Sequence, residues 1–391
     1  MNSVVVAKFG GSVIGVDGIS IPVIIQRINS LSKDAKVVAV FSAPLTVVEG
    51  KRRSLTDVAL ELGKRAEDGK AFDLIILRKT YEKILELVSS EFQEECRTAI
   101  DDCLDMVRIE LEKAMEKKEF ADEVRSKTLA YSGEILMSNV MEYILQSQGI
   151  KSKVVGLDNW PIITDSNIES TNFLASESNK KVEFLERLLD ENQVITIGGF
   201  IGRTVDGVIT TYERGGSDRT AADLGILLHK KFDVKINLEK DSSVVSADPR
   251  IVRDGLTEVR SISYNEARLA GMFGMNILDP IAIKEILENG ASLPIVITDM
   301  RNTEKTTAIE RKPNNDNGHP IKIITGKKNC AILRIEDEFV HKLLESLENK
   351  KRYSEFVILS PFTKDGIKSV SYTHLRAHET SLHLVCRLLL E

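Results

Sequence analysis

Residues 4–12 read Val4-Val5-Val6-Ala7-Lys8-Phe9-Gly10-Gly11-Ser12, an apolar, β-branched run that ends on a lysine and passes into a pair of glycines. A run this short and this apolar predicts a buried strand of a parallel sheet. The two glycines let the backbone approach an anion closely, and successive N–H groups there can form a phosphate nest. Lys8, at the strand end, supplies a compact positive charge for a phosphate in transfer. The lysine precedes the glycines, whereas in the P-loop of nucleotide triphosphatases it follows them. The blander reading of the same stretch is a strand-to-helix turn with an ordinary lysine.

Working outward, a helical stretch over 21–31 and a second apolar run over 37–41 complete a βαβ unit. Residues 72–148 read differently, with Leu, Ile, Glu and Lys recurring at spacings of three and four. Tyr81, Ile84, Leu85 and Val88 fall on one helical face, and Ile100, Leu104, Val107 and Leu111 form a second stripe. Alternation then returns, with strands expected over 153–157, 194–197, 208–211, 234–238 and 295–298. Helices are expected over 182–189, 220–229, 264–270 and 281–288. The polar run 312–318 is a linker signal. Beyond it a β-β-α-β order (321–324, 330–335, 338–347, 356–359) suggests a small, incomplete α+β module.

Composition bounds the reading. The chain has 391 residues, 42% hydrophobic and 29% charged, which suits a globular protein of two domains rather than a disordered one. No apolar run approaches the roughly 18 residues of a membrane-spanning helix. A net charge of −6 argues against a dedicated nucleic-acid binder. Four cysteines without a CxxC pair, and six histidines without ligand spacing, suggest reduced thiols and no protein-built metal site. The strand-like run begins at once, with no signal-peptide pattern, so a cytoplasmic location is expected. The segment 371–391 carries three of the six histidines and resembles translated read-through, so it is expected to be foreign to the fold.

Three further motifs carry chemistry. Arg214-Gly215-Gly216-Ser217-Asp218 precedes a helix, which Ser217 or Asp218 is expected to cap, and a helix N-terminus favours an anion. Ser132-Gly133-Glu134 lies within the helical region. Ser246-Ala247-Asp248-Pro249-Arg250 forms a proline turn whose Asp248 and Arg250 suit a ribose or a phosphate. Each alone also fits a plain role: a capped helix, a solvated glutamate, a surface turn.

In this order, with Lys8-Phe9-Gly10-Gly11-Ser12 in front, the four motifs resemble the aspartate kinases, members of the amino acid kinase fold. The likeness extends through Ile262-Ser263-Tyr264-Asn265-Glu266-Ala267 and Phe273-Gly274-Met275-Asn276-Ile277-Leu278-Asp279-Pro280, covering about residues 3 to 310. It implies a three-layer α/β/α sandwich on a mostly parallel sheet, with the site at the C-terminal strand ends. The implied domains are a catalytic domain over 1–311 with a helical insertion near 72–148, then a partial ACT-like regulatory module over 319–370.

The implied reaction takes ATP and L-aspartate to 4-phospho-L-aspartate and ADP, toward lysine, threonine and methionine. The acceptor carboxylate, with a pKa of about 4, is already ionised at neutral pH, so the site needs positive charge and alignment rather than a general base. By resemblance Lys8 and Asp218 are catalytic, Asp218 positioning Lys8. Lys8, Gly10, Gly11 and Ser12 face the phosphates, as do Asp248 and Arg250. Arg214 suits the substrate α-carboxylate, Glu134 its α-ammonium, and Gly215, Gly216 and Ser217 complete the pocket. A threonine after Ser42-Ala43 belongs there too: Thr56 first, Thr46 second, because the segment 44–54 is longer than usual. Mg²⁺ comes with ATP and not from protein side chains, and a homo-oligomer, a dimer, is the family habit.

Three departures fall on the nucleotide side. Glu239-Lys240-Asp241-Ser242-Ser243 stands where the family has Thr-Asp-Val-Asp-Gly, Asn276 replaces a lysine, and Asp279 replaces a histidine. Either Lys240 or Lys284 restores the missing charge, or nucleotide binding is weakened. The alternatives are a non-catalytic aspartate-binding regulator and a kinase of the same fold for another acid, such as glutamate.

Overall fold

The N-terminal apolar run is the strand β1 (Ser3–Phe9), and Val4, Val6, Ala7 and Phe9 are buried, as a central strand requires. A computed structural model describes residues 3–213, 215–275, 277–312, 322–326, 331–334, 356–359 and 370–373. From β1 the chain runs through one helical turn, α1 (Gly11–Ile14), then α2 (Ile21–Leu31) and β2 (Lys36–Phe41). A hairpin follows, β3 (Leu45–Val48) and β4 (Lys51–Ser54), then α3 (Leu55–Glu67). The helical region resolves into α4 (Ile75–Leu85), α5 (Gln93–Lys117), α6 (Asp122–Ser132) and α7 (Glu134–Ser147). Next come β5 (Ser152–Val154), α8 (Ala175–Asn179), α9 (Val182–Glu191), β6 (Val194–Gly198), and the strands β7 (Ile201–Arg203) and β8 (Ile209–Thr211). The order closes with α10 (Gly216–Leu228), β9 (Asp233–Lys240), β10 (Ser261–Ser263), α11 (Tyr264–Met272), α12 (Pro280–Glu288), β11 (Ile295–Asp299) and β12 (Asn302–Glu310).

Eight of these strands form one sheet in the order β10-β12-β11-β9-β1-β2-β6-β5. The six from β11 to β5 are parallel; β12 pairs antiparallel with β11, and β10 runs with β12. Side chains alternate between the faces. Lys8 points to the face covered by α10, where it meets Asp218. Glu239 and Thr196 point to the other, where they bond Arg27 of α2 and the Ser138 carbonyl of α7. Helices on both faces of a mostly parallel sheet make the expected α/β/α sandwich.

The chain divides into two units, the first drawing on residues 1–244, 258–268 and 277–316, the second on 245–257, 269–276 and 317–391. In the second, β13 (Ala331–Arg334), β14 (Phe356–Leu359) and β15 (Val370–Thr373) form an antiparallel sheet in the order β13-β15-β14, and Ala247 bridges to Ile324. The expected helix over 338–347, most of the 312–318 linker and the segment after Thr373 lie outside the described residues.

Some local expectations are corrected. The strand expected over 153–157 stops at Val154, before Gly156 and a 3₁₀ turn over Leu157–Asn159. The helix expected from 220 begins at Gly216, with Gly215 in the N-cap position at φ 95° and no side-chain cap. Neither Ser217 nor Asp218 caps it, because the left-handed geometry falls to the glycine and both polar residues enter the first turn. The hairpin β3–β4 and the strand β12 were not anticipated.

Candidate functional site

Lys8 leaves the C-terminal end of β1, and Asp218 sits in the first turn of α10, where the helix dipole favours an acid. Lys8 Nζ lies 2.8 Å from Asp218 Oδ1, and Lys240 Nζ, from the last residue of β9, lies 3.4 Å from Oδ2. The Asp279 backbone N–H donates to Oδ2 at 3.3 Å. Burial works against an ionised Asp218, but the Lys240 and Lys8 ammoniums bring its pKa down to about 2. Burial lowers the Lys240 pKa, with the Lys8 charge acting the same way and Asp218 opposing both. Two ammoniums against one carboxylate leave an excess of positive charge, which suits a phosphate.

Lys240 is thus brought to Lys8, and Lys284 is not: Lys284 is exposed and pairs with Glu288 at 3.7 Å. Glu239, one residue before Lys240, faces the opposite side of the sheet and pairs with Arg27 at 2.9 Å. Asp279 caps α12, accepting from the Ile281 N–H at 2.9 Å, and burial raises its pKa to about 6.

The glycine pair closes in beside Lys8. A Cβ on Gly11 would lie 2.5 Å from the Ala43 carbonyl oxygen, so only glycine lets α1 start this close to the end of β2. The N–H groups of Gly11 and Ser12 open α1 and have no acceptor within it. Ser42, just after β2, donates to Ser217 Oγ at 2.9 Å.

Glu134 is the first residue of α7, set apart from α6 by Gly133. It is buried; Oε1 accepts from the Ala43 N–H at 3.2 Å, while the buried Oε2 has no partner. Burial raises its pKa to about 7, against the pull of the Ala43 N–H, its own N–H and the Lys8 charge. A buried carboxylate oxygen without a donor is costly, and an ammonium is the donor that best relieves it.

The long segment after Ala43 is the hairpin β3–β4, closed at its base by the Leu55 N–H on the Pro44 carbonyl at 3.0 Å. Thr56 therefore follows the end of β2 as if the hairpin were absent. It lies half-buried in the first turn of α3, which Ser54 caps by accepting from the Asp57 N–H at 3.0 Å. Thr46 is buried in β3, where its hydroxyl donates to Asp17 at 3.1 Å and accepts from Thr80 at 3.0 Å.

Not every expected residue joins this group. Arg214 and Asn276 lie outside the described residues. Asp248 and Arg250 belong to the second unit, where they pair with each other at 2.7 Å with Arg250 exposed, and the pairing draws Asp248 down to about 2. Sequence reading missed the Ala43 and Asp279 N–H groups, which have no residue-type signal, and the Ser42 hydroxyl, which served only to mark where the threonine follows. Among the described residues no three His, Cys, Asp or Glu side chains gather as metal ligands, and no helix is long and apolar enough to cross a membrane.

Residues 3–299 match the model of the amino acid kinase family. An aspartokinase of Rickettsia felis is 30% identical over 206 residues, which are 52% of this chain and 49% of that protein. A chloroplastic bifunctional aspartokinase/homoserine dehydrogenase 1 of Zea mays is 27% identical over 323 residues, 80% of this chain and 33% of that one. The chain thus spans about half, or less, of the length of these relatives. Among solved structures, aspartokinase III of E. coli in complex with aspartate and ADP superposes with a TM-score of 0.75 at 19% identity, covering 96% of this chain and 79% of that one. That likeness carries the fold.

Proposed function

Because the chain belongs to the amino acid kinase family, we propose that it transfers the γ-phosphoryl group of ATP to the side-chain carboxylate of L-aspartate, giving 4-phospho-L-aspartate and ADP. The observation that carries this reading is the Lys8–Asp218–Lys240 cluster at the C-terminal strand ends, in a chain whose Glu134 keeps one buried carboxylate oxygen open. The aspartokinase names of the relatives support the choice of acid.

The acceptor needs no deprotonation, so the chemistry reduces to bringing an anion to a polyanion. Lys8 and Lys240 meet the phosphate charge, helped by the N–H groups at Gly10, Gly11 and Ser12. Asp218 fixes Lys8 and, held ionised, does not act as a base. Glu134 Oε2 accepts the α-ammonium, Arg214 forks onto the α-carboxylate, and Ser217 and Thr56 bond the remaining oxygens beside Gly215 and Gly216. Asp248 and Arg250 serve the nucleotide. Mg²⁺, carried by ATP rather than held by protein side chains, would supply further screening of the phosphate charge. Residues 1–311 act as the catalytic domain, 319–370 as a partial ACT-like module, and 371–391 as a foreign tail. The cytoplasm is the proposed location, and a homo-oligomer, a dimer, is the habit of the full-length family.

The test is ADP release from Mg²⁺-ATP by the full chain, with and without L-aspartate, and with L-glutamate as control. Release that depends on aspartate supports the reading. Release with glutamate alone indicates a same-fold kinase of different acid choice. A folded protein that binds aspartate and releases no ADP is a regulator, and the proposal then fails.

A further inference from the structure

The break between α6 and α7 leaves the C-terminal carbonyls of α6 in need of a donor. The last carbonyls of a helix have no acceptor role inside it, and a buried helix end needs donors from elsewhere. Here the end is buried: Ser132 and Glu134 on either side are both inaccessible. The donor is Tyr81 of α4, whose own side chain is fully buried. Its hydroxyl lies 2.9 Å from the Gly133 carbonyl oxygen and 3.3 Å from that of Ser132.

The neighbouring residue widens the pattern. Thr80 donates to Thr46 in β3 at 3.0 Å and to Asp17, in the loop after α1, at 3.3 Å. Lys83, on the next turn of α4, also pairs with Asp17, at 2.5 Å. One helix of the segment read as an insertion thus ties down the α1 loop, the hairpin and the α6–α7 break. Only the last of these bears a carboxylate with an open oxygen.

We infer that Tyr81 is the positioning residue of the acid subsite: by bonding the carbonyls of Ser132 and Gly133 it fixes the helix break that holds Glu134 against the Ala43 N–H and aims its free oxygen at the substrate ammonium. The inference rests on the reading of Glu134 given above. Without the hydroxyl, the Ser132 carbonyl loses its donor and the Gly133 carbonyl keeps only the Met137 N–H at 2.8 Å, and the break relieves this by closing toward a continuous helix or by admitting water. Either response moves the start of α7, and with it Glu134.

The test is calorimetric titration of the full chain with L-aspartate and, separately, with Mg²⁺-ADP, for wild type, Y81F, E134Q and S147A. Ser147 accepts from the Ser89 N–H at 2.9 Å at the far end of α7, so S147A removes a bond of similar kind away from the site. Y81F is expected to weaken aspartate about tenfold, the scale of one buried hydrogen bond, with nucleotide affinity unchanged and S147A normal for both. Aspartate binding by Y81F within about twofold of wild type, with E134Q weakened, overturns the role of Tyr81 alone. Equal weakening for aspartate and nucleotide overturns it too, since that is general loosening. Wild-type affinity in E134Q overturns the reading of Glu134 itself, and the role of Tyr81 falls with it. Should Y81F not fold, Y81M, which fills the space without a hydroxyl, takes its place under the same criteria.

Discussion

The Lys8 ammonium lies 2.8 Å from Asp218 Oδ1, and both side chains are nearly removed from water. A buried ion pair of this kind costs desolvation that its attraction only partly offsets, so it is poor evidence for stability and better evidence for a task. The second ammonium, Lys240, sharpens the point, because two ammoniums, one on each oxygen of a single carboxylate, leave the cluster short of an anion.

Lys8→Ala should act on turnover. If the ammonium meets charge that develops on the transferring phosphate, kcat falls by about 10² or more while the aspartate KM moves little. Steady-state kinetics decide it; a raised aspartate KM at unchanged kcat removes Lys8 from the phosphate.

Lys240→Met should act on the nucleotide. Its expected effect is an ATP KM raised about tenfold, the worth of one charge-assisted contact, with the aspartate KM preserved. An unchanged ATP KM means that the cation on β9 serves Asp218 and not the phosphates.

If Glu134 holds the substrate ammonium, substrate affinity and stability should respond oppositely to pH. Its folded pKa, about 7, lies above the ordinary 4.5, so the folded state keeps a proton that the unfolded chain gives up. The associated stability is full below about 4.5 and is lost as pH rises through about 7. The aspartate KM should fall over that same rise, as the carboxylate becomes available to the ammonium. E134Q should therefore melt higher than wild type near about pH 8 and converge with it near about pH 5, while its aspartate KM is high and flat with pH. Thermal melts and kinetics at the two pH values test both halves; melting differences that do not vary with pH contradict the assignment.

The two threonines separate cleanly. Thr56→Val should raise the aspartate KM several-fold, on the scale of about 1 kcal/mol for a lost hydrogen bond, with little change in Tm. Thr46→Val should lower Tm and leave KM alone, because its hydroxyl is already engaged by Asp17 and Thr80. The reverse pattern exchanges their roles.

Much of the fold was legible because it is written locally. The run ending at Lys8, the apolar core of β9 and the stripes of α4 and α5 all show their period within a few residues. The hairpin was hidden because β4 reads Lys51-Arg52-Arg53-Ser54, polar and largely exposed, and so carries no strand pattern. The strand β12 was hidden for the same reason: its first five residues are exposed, and only its end is buried in the sheet. At the site, residue types were legible and directions were not. That Lys240 turns to Lys8 while Glu239 turns to Arg27 follows from the two-residue alternation of a strand, but which face receives which depends on helices far along the chain. Bonds from backbone groups, such as those of Ala43 and Asp279, leave no trace in residue identity.

The strand order has a consequence for how the chain reaches its working form. β1 lies between β2 and β9, so a strand made early waits for one made much later, and Arg27 finds Glu239 across 212 residues. Pairings this distant close slowly and only after large loops have been brought together. During synthesis Lys8 is therefore a lone lysine on an incomplete edge, without Asp218 or Lys240 beside it. If this cluster handles phosphate as proposed, activity can return only once the centre of the sheet is filled, and its recovery after refolding should report the docking of β9.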